Sequence, residues 1–220
     1  TSTFRNEGTY RKSAGSATHT IQIGSFINSG TVAVTSGVIG FVTTTLSASG
    51  VGNSFSADAG ASVLFAQAFS SVCGFTNTTF SGLGLKTITN SGVTTVTGTI
   101  NATNLFHTAG TWQGAATLNG VLDWTGGTLA PQLTIAPGST LKLSGNAAKT
   151  LGGGVITNAG TVTWTAGQFN LGGSPTFYNQ PGALFDVQFD GTVFQSSGGT
   201  STFRNEGTYR KSAGSGTHTI

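Results

Sequence analysis

Methionine is absent from these 220 residues, cysteine occurs once, proline four times, and charged side chains make up only 7% of the chain. Each scarcity removes a class of explanation. A single cysteine, Cys73, cannot staple its own chain, so no internal disulfide framework stands in for a hydrophobic core. In SVCGF it reads either as a small buried hydrophobe or as a thiol that cross-links to a neighbouring chain. Six carboxylates and three histidines leave little to titrate, and they are scattered, so neither a metal nor an organic cofactor is expected. No stretch carries a 3.6-residue apolar period, which excludes helices of any length; SVLFAQAF at 62–69 is the one ambiguous run. No charged-then-apolar leader is present, and membrane insertion is not expected.

What the chain has instead is 35 glycines and a great deal of threonine, serine and asparagine. It also repeats itself. TSTFRNEGTYRKSAGSATHTI at residues 1–21 returns as TSTFRNEGTYRKSAGSGTHTI at 200–220, differing only where Ala17 becomes Gly216. Residues 1–199 read as one unit and 200–220 as the first coil of the next, so the chain is expected to be a window on a longer tandem array. The net charge of +3 is partly counted twice, because Arg11 and Lys12 recur as Arg210 and Lys211; one unit carries about +1. Two adjacent cations per unit make a poor nucleic-acid footprint, and none is expected to bind.

A shorter phrase recurs inside the unit: Phe4-Arg-Asn6-Glu-Gly8, Phe26-Ile-Asn28-Ser-Gly30, Ile88-Thr-Asn90-Ser-Gly92, Ile156-Thr-Asn158-Ala-Gly160 and Phe203-Arg-Asn205-Glu-Gly207. Phe177-Tyr-Asn179-Gln-Pro-Gly182 is the same phrase with one insertion. The asparagine spacings divide into about nine steps of about 22 residues, a solenoid period. A second glycine often follows about seven residues after the first, so each coil reads as strand, glycine corner, strand, glycine corner. Between corners the period is two: in GTVTWT, Val162 and Trp164 share one face while the threonines take the other.

These features predict an all-β chain folded as a parallel β-helix of about nine coils per 199-residue unit. Strands stacked about 4.8 Å apart would carry residue n to n+199 by roughly 43 Å of travel along one axis. A Greek-key sandwich also has turns every 8–12 residues, but it gives no reason for one phrase to recur. Phe4, Phe26, Val32, Val34, Val162 and Trp164 are predicted to be buried. Two residues after the Phe, each Asn faces the same way and is predicted to pass an amide donor to the Asn of the next coil, as amide ladders do.

Other candidates have two readings each. Asp186 and Asp190 are the best pair for glycoside chemistry, which needs two carboxylates flanking a sugar, yet FDVQFDG alternates as an ordinary strand or turn. Trp124 and Trp164 stand where core residues stand, while Trp112 stays open as a sugar-stacking residue. T-x-T runs at Thr18/Thr20, Thr87/Thr89 and Thr161/Thr163 hold no common register, so they are read as outward strand residues rather than an ice-binding face. Lys12 stands four after Gly8, at the inward position. It is either turned out by a bulge or, with Arg11, forms a lateral contact between solenoids.

The F-x-N-x-G-T phrase followed by S/T-x-G resembles the degenerate β-helix repeats of very large bacterial surface proteins, adhesins and autotransporter passengers among them. The resemblance implies secretion, a right-handed helix and a role as stalk, adhesin or extracellular fibre. Its partners would be other copies of itself, end to end or side by side, or surface glycans. A glycan-binding module and a polysaccharide-degrading β-helix are the alternatives.

Overall fold

A computed structural model describes residues 2–68 and 70–220 of the chain. It is an all-β solenoid, and among the described residues no helix occurs. The first coil shows the plan. β1 (Thr3–Asn6), β2 (Thr9–Lys12) and β3 (Thr18–Ile21) lie on three successive faces. Each is covered by its parallel counterpart one coil on: Ser25–Asn28, Thr31–Val34 and Val38–Phe41. Sequence reading gave two corners per coil; the molecule has three faces and three corners. Threonine, valine and phenylalanine favour these short strands because alternate side chains pack inward against the coils above and below.

Following the hydrogen-bonded register face by face gives ten coils of three strands. The first face runs from β1 to Val193–Ser197. The second runs from β2 to Thr202–Asn205, and the third from β3 to Thr208–Lys211. A parallel bridge from Thr192 to Thr219 opens an eleventh coil on the first face. The unit therefore does not close on a whole number of turns. The TFRN strand lies on the first face at residues 3–6 and on the second face of the tenth coil at 202–205. Residue n reaches n+199 by nine and one third turns, about 45 Å at the usual strand spacing. The expected travel along the axis is thus joined to a rotation of one third of a turn.

Coil length varies around this plan. Thr3 pairs with Ser25, 22 residues on, whereas Val93 pairs with Thr111 and Thr111 with Thr128, 18 and 17 residues on. In these short coils the strands run almost unbroken through all three faces, as Val93–His107 and Thr111–Trp124. Their corners shrink to single residues such as Gly98 and Gly114, both at positive φ.

The core is a continuous column. Phe26, Val32, Val34, Val162 and Trp164 are buried as predicted from alternation. Phe26, Phe41, Phe55, Phe65, Phe75 and Phe80 form an aromatic stack through the first third of the helix, with neighbouring ring centroids 4.8–6.0 Å apart. Burying each such side chain is worth about 1.5–3 kcal/mol. Phe4 is the exception to the prediction, at 40% exposed. It faces inward and stacks on Phe26 at 5.4 Å, but in the first coil only one side has a neighbour. In the ambiguous run, Ser62–Phe65 is a strand, and Phe69 lies outside the described residues.

Corner glycines serve two purposes. The second glycines of the pairs, such as Gly15 and Gly37, take positive φ, as expected for a tight turn. Of the phrase glycines, Gly8, Gly30, Gly92, Gly160 and Gly207 do not, while Gly182, in the phrase with the insertion, does. A Cβ on Gly30 would stand 2.1 Å from the Gly8 carbonyl oxygen, so here the missing side chain lets two coils approach.

Candidate functional site

The recurrent asparagines form two ladders on different faces. On the first face Asn6 Nδ2 donates to Asn28 Oδ1 at 2.7 Å and to the Thr31 carbonyl at 2.9 Å. On the second face Asn158 donates to Asn179 Oδ1 at 2.8 Å, and Asn179 to Asn205 Oδ1 at 2.7 Å. The same amides bond the Leu184 and Thr208 carbonyls across the corner, both at 3.0 Å. Asn6, Asn28, Asn158 and Asn179 are buried, and Asn205, in the tenth coil, is exposed. Asn90 does not belong to either ladder. It lies two residues beyond strand Leu85–Ile88 on the third face and donates to Thr94 Oγ1 at 2.7 Å. The phrase around it matches in composition but not in register. Beside the ladders, Gly160 and Gly207 pack against corner carbonyls as Gly30 does, Gly182 takes positive φ, Gly8 meets nothing where a Cβ would stand, and the Gly92 carbonyl accepts from Thr111.

Lysine is the residue that sequence reasoning missed. Lys86 and Lys149 are fully buried. Lys86 Nζ donates to the carbonyls of Ser81, Gly82 and Gly84 at 2.8–2.9 Å. Lys149 donates to those of Gly145, Ala147 and Ala166 at 2.8–3.1 Å. Each ammonium fills a cup of carbonyl oxygens that a corner would otherwise leave unpaired. Burial pulls both groups down to about 8, while the carbonyl acceptors around each favour the protonated ammonium. Lys12 belongs to the same class. It pairs in register with buried Val34, without a bulge, and its Nζ donates to the carbonyls of Ala14 at 2.7 Å and Gly15 at 2.5 Å. The signal was parity: in LKTI and KTLG the lysine shares a face with Ile88 or Leu151, both core residues.

The remaining candidates fall into place around this scaffold. Trp112, Trp124 and Trp164 are all buried, so none offers a stacking platform for a sugar. Cys73 is free and buried, and burial pushes its thiol up to about 12. The T-x-T runs point outward without alignment; Thr87, for example, pairs with Phe106. A different column does align on the second face: Thr99, Thr117, Thr134 and Thr157 stand in direct register. Among the described residues no three His, Cys, Asp or Glu side chains gather as a metal site would require.

The two copies of the 21-residue segment fold alike. Tyr10 hydrogen-bonds His19 at 2.7 Å, and Tyr209 bonds His218 in the same way. Lys12 and Lys211 each donate to the carbonyl of the following corner glycine, Gly15 or Gly214. The first copy occupies all three faces starting from the first, and the second starts from the second face. Compared with protein-family models, curated proteins and solved structures, the chain matches none.

What differs between the copies is the preceding coil. Beneath the second copy, Asp186 is 3% exposed and accepts a bidentate pair from Arg210, Nε at 3.1 Å and Nη2 at 2.9 Å. Gln188 Nε2 adds a third bond at 2.9 Å. The guanidinium holds the Asp186 carboxyl well below its ordinary range, at about 2. Asp190, at the following corner, pairs with Lys211 at 2.9 Å, and that contact lowers its pKa as well. Asp186 and Asp190 therefore engage two different cations of the next coil, and do not flank a common gap. His218 Nδ1 donates to the Gly191 carbonyl at 2.6 Å. Phe177 stacks on Phe203 at 5.0 Å and Phe185 on Tyr209 at 5.1 Å.

Proposed function

We propose that residues 1–199 are the repeating structural unit of an extracellular bacterial filament, stalk or giant surface adhesin, lengthened by coil-on-coil β-stacking and without enzymatic activity. One observation carries this reading: the near-copy at 200–220 is stacked in parallel register on residues 176–187, as the continuation of the same solenoid. A repeat protein adds units in this manner because each coil covers the open strand edges and apolar interior of the one before. The sparsely charged surface, rich in threonine, serine and asparagine, together with the resemblance to giant surface proteins, supports placement outside the cell. Core and ladders serve rigidity, and a rigid rod is the property such a role needs.

Immunogold labelling with an antibody raised against the 21-residue segment tests this on native material. Thin surface fibres labelled at multiples of about 45 Å are expected. Label confined to compact particles, or to the cell interior, would overturn the proposal.

A further inference from the structure

We infer that successive units are joined through an acid-on-base clasp, in which Asp186 and Asp190 at the end of one unit hold the Arg-Lys pair that opens the next, so that in the 220-residue chain taken by itself residues 1–21 can dock on that same acidic end of a second copy. The inference rests on the filament reading and names the contact that sets its joints. In the second copy both cations are engaged, Arg210 by Asp186 and Lys211 by Asp190. In the first copy the equivalent Arg11 and Lys12 have no acidic partner among the described residues. Because residues 1–21 and 200–220 share sequence and local hydrogen bonds, the chain itself displays the docked form of its own first coil.

The clasp also selects one orientation. The three faces are similar enough for the 21-residue segment to start on the first or the second, and backbone pairing alone does not choose between them. Asp186 is on the third face and Asp190 at the corner after it, so only an Arg-Lys strand laid on the third face meets both. That placement adds one third of a turn at each joint. The charge pairs thus add specificity at the junction to the Asn179–Asn205 rung and the Phe177–Phe203 stack, which favour the same placement.

The test uses the full 220-residue chain. R210D/K211D sets two carboxylates against Asp186 and Asp190, and hydrogen exchange should show residues 200–220 losing protection at least tenfold relative to the coils beneath. The vacated end should then accept residues 1–21 of a second molecule, giving concentration-dependent head-to-tail oligomers by sedimentation beyond those of the unaltered chain. Adding R11D/K12D should abolish that increase. If R210D/K211D loses its overall β signal, R210Q/K211Q gives the same readouts without new repulsion. Undiminished protection of 200–220 would overturn the clasp, as would release without association, or association that survives R11D/K12D. None of these results would by itself remove the filament, since coils can stack through backbone pairing without the clasp.

Discussion

Asp190 lies against Gly216, the single position at which the two copies of the 21-residue segment differ. A Cβ built on Gly216 would stand 3.0 Å from Asp190 Oδ2 and 3.1 Å from Cγ. The first copy carries Ala17 at the equivalent position. Gly216→Ala should therefore displace the exposed Asp190 carboxylate by a few tenths of an ångström and loosen its pair with Lys211. We expect less than about 0.5 kcal/mol on global stability, but faster amide exchange over residues 212–220. Gly214→Ala should cost more, about 1 kcal/mol or above, because that residue takes φ +86° and its Cβ would stand 2.4 Å from Asp190 Oδ1. Equal exchange in both variants and the parent would contradict this account.

Asn158→Ala removes the donor to Asn179 Oδ1 and to the Leu184 carbonyl, and the acceptor of the Gly160 amide. Leaving such buried groups unpaired should cost about 1–3 kcal/mol in a melting experiment. Asn90→Ala removes one bond to Thr94 and interrupts no ladder, so it should cost less. A larger effect at Asn90 than at Asn158 would mean that the ladders do not carry the stability assigned to them.

Lys86→Met and Lys149→Met keep the length of the side chain and empty the carbonyl cups. Each should lower stability by about 1–3 kcal/mol, whereas Lys142→Met, at an exposed outward position of the third face, should stay within about 0.5 kcal/mol. Urea denaturation of the three variants separates a buried cation that completes a corner from one that is only tolerated there. Two neutral results at the buried lysines would remove the capping role.

Stability should also fall with acid through His107. This imidazole is fully buried, lies edge-on to Trp112 at 5.9 Å, and is pushed by burial from 6.5 to about 4. Between those values the unfolded chain binds the proton and the folded one does not, so stability rises with pH across the window and is lost as pH drops from about 6.5 to about 4. The loss should be on the order of 2–3 kcal/mol and should vanish in His107→Leu. Asp186 acts lower, its contribution present above about 4 and lost as pH falls toward its folded value of about 2. A flat profile from pH 7 to 4 in the parent chain would contradict the burial of a neutral His107.

The alternation of Val32 and Val34, or of Val162 and Trp164, was enough to give strand, face and core, because a period of two has one reading wherever one side is dry. The third face was not legible. Counting from asparagine to asparagine assumed that the phrase always falls on the same face, yet Asn28 ends a strand of the first face, Asn158 one of the second, and Asn90 follows the third. A triangular section with similar sides leaves no mark in the sequence of which side a strand takes. The buried lysines were hidden for a different reason. A cation reads as surface by habit, although parity with Ile88 and Leu151 already placed Lys86 and Lys149 inside. The acids were legible as a pair, but their partners were not, since Arg210 and Lys211 lie 24 and 21 residues away from Asp186 and Asp190.

The rotation of one third of a turn per unit is the claim on which the unit, the ladders on two faces and the clasp all depend. An experimental structure of a chain joining three copies of residues 1–199 measures it directly, by superposing equivalent residues of consecutive units. The account predicts a translation of about 45 Å combined with one third of a turn, so that a given side chain returns to its starting face only after three units. A pure translation of about 43 Å, with every TFRN strand on the same face, would contradict it.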